Sequence, residues 1–308
     1  MRKFLVTVLV FSVVFCQSLK AQRYYYYNSS YYDNPVVYEI GATFGIMNSF
    51  TDLGGKKGVG KNFIKDLRWK TMRPSYGFYL MAMHNNAIGV RLEGTFSQVV
   101  AYDSILKNVA ASTYGRYERN LSFKSKISEF QLGVEVHPLF FKDYEDEDPP
   151  PISPYAVVGA SLYSFDPQAK LNGQWYSLQP LHLEGQGFTE YPDRKNYKLT
   201  QLNLIAGFGV KYEINTMLNA RLEFVHRFLM TDYLDDVSQV EYIDPSLFYN
   251  YLPANQAAIA QQLYNRTNEL NPSDITFFNN IQRGDPKDND SYFTIQLKVG
   301  FMFGRQRR

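Results

Sequence analysis

The chain contains one cysteine, Cys16, among 308 residues, and only four histidines and two tryptophans. Cys16 lies in an N-terminal leader: Arg2 and Lys3 form a short basic start, an apolar run spans 4–15, and Leu19-Lys20-Ala21 places a small residue before Gln22. This is the pattern of a cleaved export signal, residues 1–21. The apolar run falls short of the roughly 20 residues of a spanning helix. Phe15 stands where a lipoprotein signal needs a small residue, which argues against lipidation of Cys16. The mature chain therefore lacks cysteine, and with it disulfides, thiolate catalysis and cysteine metal sites. His84, His137, His182 and His226 show no metal-ligand spacing, and no cofactor is expected. Removing the leader takes Arg2, Lys3 and Lys20, leaving 29 basic against 30 acidic residues. A near-neutral chain gives no basic excess for nucleic acid.

What the chain has instead is aromatic content, with 25 Tyr and 23 Phe. It also has period-2 alternation in segments of about 10 residues, the length of a tilted membrane-crossing strand. Segment 36–47 sets Tyr38, Ile40, Phe44 and Ile46 against Glu39, Gly41, Thr43 and Gly45. Segment 76–83 groups Tyr76, Phe78 and Leu80. From residue 88, Ile88, Val90, Leu92 and Phe96 oppose Arg91, Glu93, Thr95 and Ser97. Segment 127–140 points Phe130, Leu132, Val134 and Val136 outward and Glu129, Gln131, Glu135 and His137 inward. Segment 155–165 is more apolar on both faces. Segments 199–214, 218–228 and 291–303 alternate again, putting Lys211, Glu213, Arg221, Glu223, Arg227 and Lys298 on the polar face.

Eight such segments, an even number, predict an all-β fold: an eight-stranded antiparallel up-and-down transmembrane β-barrel. The connections sort by length. Those near 84–87, 141–153 and 215–217 are short, while those near 48–73, 101–125, 166–198 and 229–290 are long. That asymmetry predicts short periplasmic turns, four long external loops and both termini in the periplasm of a Gram-negative outer membrane. The barrel is expected over 36–303, after a tyrosine-rich tail at 22–35 and before a basic tail at 304–308. Residues 255–263 predict a short helix within the last long loop.

An eight-stranded barrel has room for little more than its own side chains. The inward charges Arg91, Glu93, Glu129, Glu135, Lys211, Glu213, Arg221, Glu223, Arg227 and Lys298 are expected to pair into a plug, because isolated buried charge is expensive. Glu135 with His137, and Glu223 with His226, suggest acid–base pairs, but no nucleophile is legible beside either, and no enzyme is expected. Gly55-Lys56-Lys57-Gly58-Val59-Gly60-Lys61 has the spacing of a phosphate-binding loop, but Asn62 replaces the required Ser/Thr and no βαβ unit follows. A loop meeting an acidic partner or lipopolysaccharide fits better. Asp232, Asp235 and Asp236 carry oxygen ligands without Ca²⁺-loop spacing. The structured base of a loop is the simpler reading. Partner contacts are expected from Tyr24, Tyr25, Tyr26 and Tyr27, from the stiff acidic stretch Glu145, Asp146, Glu147 and Asp148, and from Arg305, Arg307 and Arg308.

Several stretches also resemble the PorG-like family of Bacteroidetes outer-membrane barrels. These are Tyr38-Glu39-Ile40-Gly41 with Gly45 and Asp52-Leu53, Arg119-Asn120-Leu121-Ser122-Phe123, Pro154-Tyr155 with Gly159, Glu184-Gly185-Gln186-Gly187, and Thr231-Asp232-Tyr233-Leu234-Asp235-Asp236-Val237-Ser238. They run in order over most of the barrel. The resemblance implies a non-enzymatic scaffold of the type IX secretion system, set in outer-membrane lipid and holding a periplasmic ring of a lipoprotein and its partner protein. A surface adhesin or lipid-binding barrel acting through external loops is the alternative.

Overall fold

The computed structural model describes residues 35–54, 69–109, 113–142, 150–270 and 282–304. Its strands are β1 Val36–Phe50, β2 Arg73–His84, β3 Ile88–Tyr102, β4 Ser122–Val136, β5 Ile152–Leu171, β6 Gln174–Ser177, β7 Thr200–Glu213, β8 Leu218–Leu229 and β9 Ser291–Phe303. Among the described residues three helices, α1 Tyr114–Arg119, α2 Phe248–Tyr251 and α3 Ala254–Leu263, lie in the long connections. Among the described residues no helix is long and apolar enough to cross a membrane.

All pairings are antiparallel, and eight strands close on themselves in the order β1-β2-β3-β4-β5-β7-β8-β9 and back to β1. The register follows from the alternation. Phe130 stands opposite Leu162, and Leu162 opposite Leu202, so one apolar row faces outward across three strands. Tyr38, Ile40, Phe44, Phe78, Leu92, Phe208, Leu222 and Leu297 continue this belt, each about half exposed or more. A contiguous apolar surface of this extent is incompatible with water and fits a lipid solvent. The partnered backbone of a closed barrel meets the other demand of a bilayer, since no strand edge is left open.

Two sequence expectations need correction. The fourth strand begins at Ser122 and ends at Val136, rather than running from 127 to 140, because Pro138 cannot continue the ladder and a 3₁₀ turn spans Pro138–Phe141. His137 therefore lies just beyond the strand. The third long connection also holds a strand, β6, which hairpins onto the upper part of β5. Asn172 and Gly173, both at positive φ, form its two-residue turn. Asn-Gly is the strongest short hairpin signal, but four residues of strand are too few to show a period. A second two-residue turn, Asn85-Asn86, joins β2 to β3 with both residues left-handed, a conformation that asparagine tolerates.

Inside the barrel, small residues make room for rings. A Cβ on Gly209 would sit 2.5 Å from the Tyr155 ring. Tyr155 lies in the lumen and donates to Glu223 at 2.8 Å. Gly209→Val is expected to push this ring aside and break that bond, costing about 1–3 kcal/mol through overpacking. Urea unfolding in lipid vesicles checks it; an unchanged midpoint would show spare room in the lumen.

Candidate functional site

Among the described residues the lumen carries the largest cluster of buried charge. Its inward strand positions bury six glutamates (Glu39, Glu93, Glu129, Glu135, Glu213 and Glu223) and five cations (Arg91, Lys211, Arg221, Arg227 and Lys298). Arg91 meets Glu93 at 3.0 Å and Glu223 at 2.6 Å, and also contacts Glu135. Lys298 joins Glu93 at 2.5 Å to Glu223 at 2.7 Å. Arg221 bridges Glu39 and Glu135, each at 2.6 Å. These seven residues from β1, β3, β4, β8 and β9 form one continuous network. Arg227 pairs with Glu129 at 3.0 Å nearer the long loops, and Lys211 with Glu213 at 2.8 Å at the short-turn end.

All ten inward charges named from the alternation lie here. Glu39, set by the alternation on the face opposite Tyr38 and Ile40, joins them although it is absent from the expected plug, because a single glutamate on β1 gives no hint of its partner 182 residues away. The hydroxyls of Tyr79, bonded to Glu39, and Tyr155 complete the network. Their signal was the parity of two aromatic residues on polar faces.

The structure also places a serine that sequence reasoning missed. His137 lies 3.1 Å from Ser153 Oγ through Nδ1 and 3.3 Å from Glu135 through Nε2. The three stand in the order of a nucleophile, base and carboxylate. Ser153 and His137 are buried, and Glu135 is already held by Arg91 and Arg221. The trio is a packed end of the ion network.

A second lattice sits at the long-loop mouth. Glu184 accepts from the backbone N–H groups of Ser238 and Gln239, each at 3.1 Å, and pairs with Arg283 at 2.9 Å. Asp235 accepts from Leu53 N–H at 3.3 Å, and Arg119 donates to the Asp52 carbonyl at 2.8 Å and pairs with Asp103 at 2.8 Å. Tyr197 donates to Asp236 at 2.7 Å, and Asp290 accepts from Leu234 N–H at 2.8 Å. Four of the stretches behind the family resemblance, around Asp52, Arg119, Glu184 and Thr231, thus meet from four separate loops. Beyond them α2 and α3 pack Phe248, Ala257, Ala260 and Leu263 on Leu171, Leu178, Leu181 and Phe188, a core separate from the barrel's.

Burial raises several of the mouth's carboxyls. It pushes Asp52 up to about 6, Asp236 up to about 7 and, with Asp235 and Asp52 nearby, Asp232 up to about 9. Asp235 and Asp290 are raised by burial and by these same neighbours. Among the described residues no acidic or histidine group of three is arranged to hold a metal. Asp232, Asp235 and Asp236 serve loop structure: two of them accept the bonds given above, and Asp232 is held by Ser238. The proposed contacts Tyr24, Tyr25, Tyr26, Tyr27, Glu145, Asp146, Glu147, Asp148, Arg305, Arg307 and Arg308, and the 55–61 loop, lie outside the described residues.

No protein-family model matches the chain, and no curated protein does. Several solved outer-membrane barrels align. The N-terminal barrel domain of Pseudomonas aeruginosa OprF has 10% identity and a TM-score of 0.34, covering 88% of this chain and 98% of its own. Neisserial surface protein A has 10% identity and a TM-score of 0.38, with 87% and 97% covered. A major outer-membrane protein of Thermus thermophilus has 12% identity and a TM-score of 0.39, with 87% and 99% covered. Scores this low carry no argument about function. The strand pairing itself establishes an eight-stranded barrel of the outer-membrane type.

Two outcomes follow from these geometries. Arg221→Met strands Glu39 and Glu135 in the lumen and is expected to cost about 3–5 kcal/mol, read as a lowered urea midpoint in vesicles. Adding Glu39→Gln to that variant should recover part of the loss. At the mouth, carboxyls with raised pKa bind protons more tightly folded than unfolded, so stability falls as pH rises from about 4 towards 9. Limited proteolysis should therefore cut the long loops faster at pH 9 than at pH 6, and Asp232→Asn should flatten that difference. Equal cutting at both pH values in the wild type would refute the coupling.

Proposed function

We propose that this chain is a plugged, non-enzymatic outer-membrane barrel that anchors and scaffolds the type IX secretion machinery. The observation that carries the anchor reading is the lumen. A path for solute or ions needs open, hydrated width, and here five strands contribute guanidinium, ammonium and carboxylate groups locked to one another across the centre. Support for the type IX assignment comes from the family resemblance, whose stretches from four loops build one connected lattice instead of scattering. Loop asymmetry supports an orientation with the long loops outside and the short turns and both termini in the periplasm.

On that orientation the periplasmic ring, formed by a lipoprotein and its partner protein, meets the short-turn end. Leu139 and Phe141 in the β4–β5 connection and Met217 between β7 and β8 stand exposed there, an apolar rim suited to a protein partner. The alternative, an adhesin or lipid-binding barrel working through its external loops, draws on exposed Trp69, Tyr114 and Tyr249 at the opposite end.

The deciding experiment is a mild-detergent pull-down of the C-terminally tagged protein from native membranes. Type IX ring components are expected with the wild type and should be lost with Leu139→Ser/Phe141→Ser, while the barrel still folds. Recovery of a bare barrel from wild-type membranes would sink the scaffold and turn attention to the loops.

A further inference from the structure

The outward faces of the nine strands carry three lysine or arginine side chains, Lys124, Lys126 and Lys170, and all three lie on adjacent strands β4 and β5. Their placement follows a ladder read upward from the belt. The apolar row Phe130, Leu162 and Leu202 is succeeded by Ser128, Ser164 and Thr200, a row of hydroxyls in register across β4, β5 and β7. The next level sets Lys126 opposite Asp166, and the one after sets Lys124 opposite Gln168. The β6 hairpin extends this wall, with Trp175 opposite Lys170 and with Lys124 Nζ 3.7 Å from the centre of the Trp175 ring. Lys198, exposed just before β7, borders the same level.

Lys124 meets the Trp175 ring, but carboxylates do not neutralise these cations. Among the described residues none of Lys124, Lys126 and Lys170 forms an ion pair with a carboxylate. The nearest acid by register, Asp166, is engaged by Gln168 at 2.5 Å and Ser177 at 3.1 Å. The far wall of the barrel offers no counterpart. On β8, β9 and β1 the outward residues stay largely apolar or aromatic up to Phe228, Phe293 and Phe50, with no outward lysine or arginine.

We infer that this wall binds the phosphorylated headgroup of an outer-leaflet glycolipid. Acyl chains lie along Phe130, Leu132, Leu162 and Leu202. The phosphates meet the hydroxyl row and the lysines just above it, and Trp175 lies at the polar boundary where an indole is favoured. Lysine near a membrane surface attracts anionic lipid at about 1 kcal/mol per residue. The β5 extension and its hairpin thus have a role that barrel closure does not require. The inference rests on the orientation given above and not on the scaffold role.

The test uses the full-length barrel in phosphatidylcholine nanodiscs carrying diphosphorylated lipid A, with retained lipid read by native mass spectrometry. Lys124→Gln/Lys126→Gln/Lys170→Gln should weaken retention roughly 100-fold, while Lys70→Gln/Lys287→Gln, exposed lysines elsewhere, should leave it unchanged. Heat-modifiable gel mobility reports folding of each variant. Wild-type retention by the triple variant, equal retention of lipid A stripped of phosphate, or displacement by inorganic phosphate at matched ionic strength would each overturn the proposal. Orientation is tested separately by labelling Asn255→Cys, exposed on α3 in the last long connection, on intact cells with an impermeant maleimide. If labelling fails, the orientation is wrong; if it succeeds while the triple variant keeps its lipid, the site is wrong.

Discussion

A charge removed from water must find its counter-charge, and in the lumen of this barrel that requirement ties together strands far apart in sequence. Arg91 and Arg221 each reach two or more glutamates on other strands, and Lys298 closes the chain between Glu93 and Glu223. The network forms only when β1, β3, β4, β8 and β9 stand at the correct height. A shift of one residue would turn every lumen charge to the lipid and every belt residue inward. The belt and the plug are therefore two consequences of a single register. Buried ion pairs add little net stability once desolvation is counted, so their contribution here is to register, with lipid exposure of the apolar face supplying the favourable transfer.

The same logic separates the two ends of the molecule. At the short-turn end connections are brief and the barrel finishes in Lys211, Glu213 and the His137–Ser153 contact. At the long-loop end a second polar lattice takes over, in which carboxylates mostly hold backbone N–H groups instead of arginines. Asp235, Asp290 and Glu184 each clamp loop backbone, which orders segments that have no ladder of their own. Burying Asp52, Asp232, Asp235, Asp236 and Asp290 close together raises their proton affinity.

Much of this was legible from the chain. Period-2 alternation located the eight barrel strands, because one face must suit lipid and the other a packed polar interior. Loop lengths followed from the same segments, and the helix near 255–263 is present as α3 Ala254–Leu263. What escaped was short or depended on contact. The β6 hairpin is too brief to show a period, and Pro138 overrode the apolar run that appeared to prolong β4. Ser153 gave no sign of lying beside His137, because strand pairing sets the two together across a connection of variable length.

The sequence by itself determined which residues face lipid and which face the lumen, since parity along a strand is a local property of a backbone that alternates sides with each residue. It also determined that the lumen would hold opposite charges in near balance. Only the tertiary structure decided the partners: Arg221 with Glu39 and Glu135, Arg119 with Asp103, Arg283 with Glu184. It likewise decided that Lys124, Lys126 and Lys170 share one wall with Trp175. Parity says which way a side chain points, but the level it reaches, and the neighbour it meets there, come from the relative heights of strands that only the closed sheet specifies.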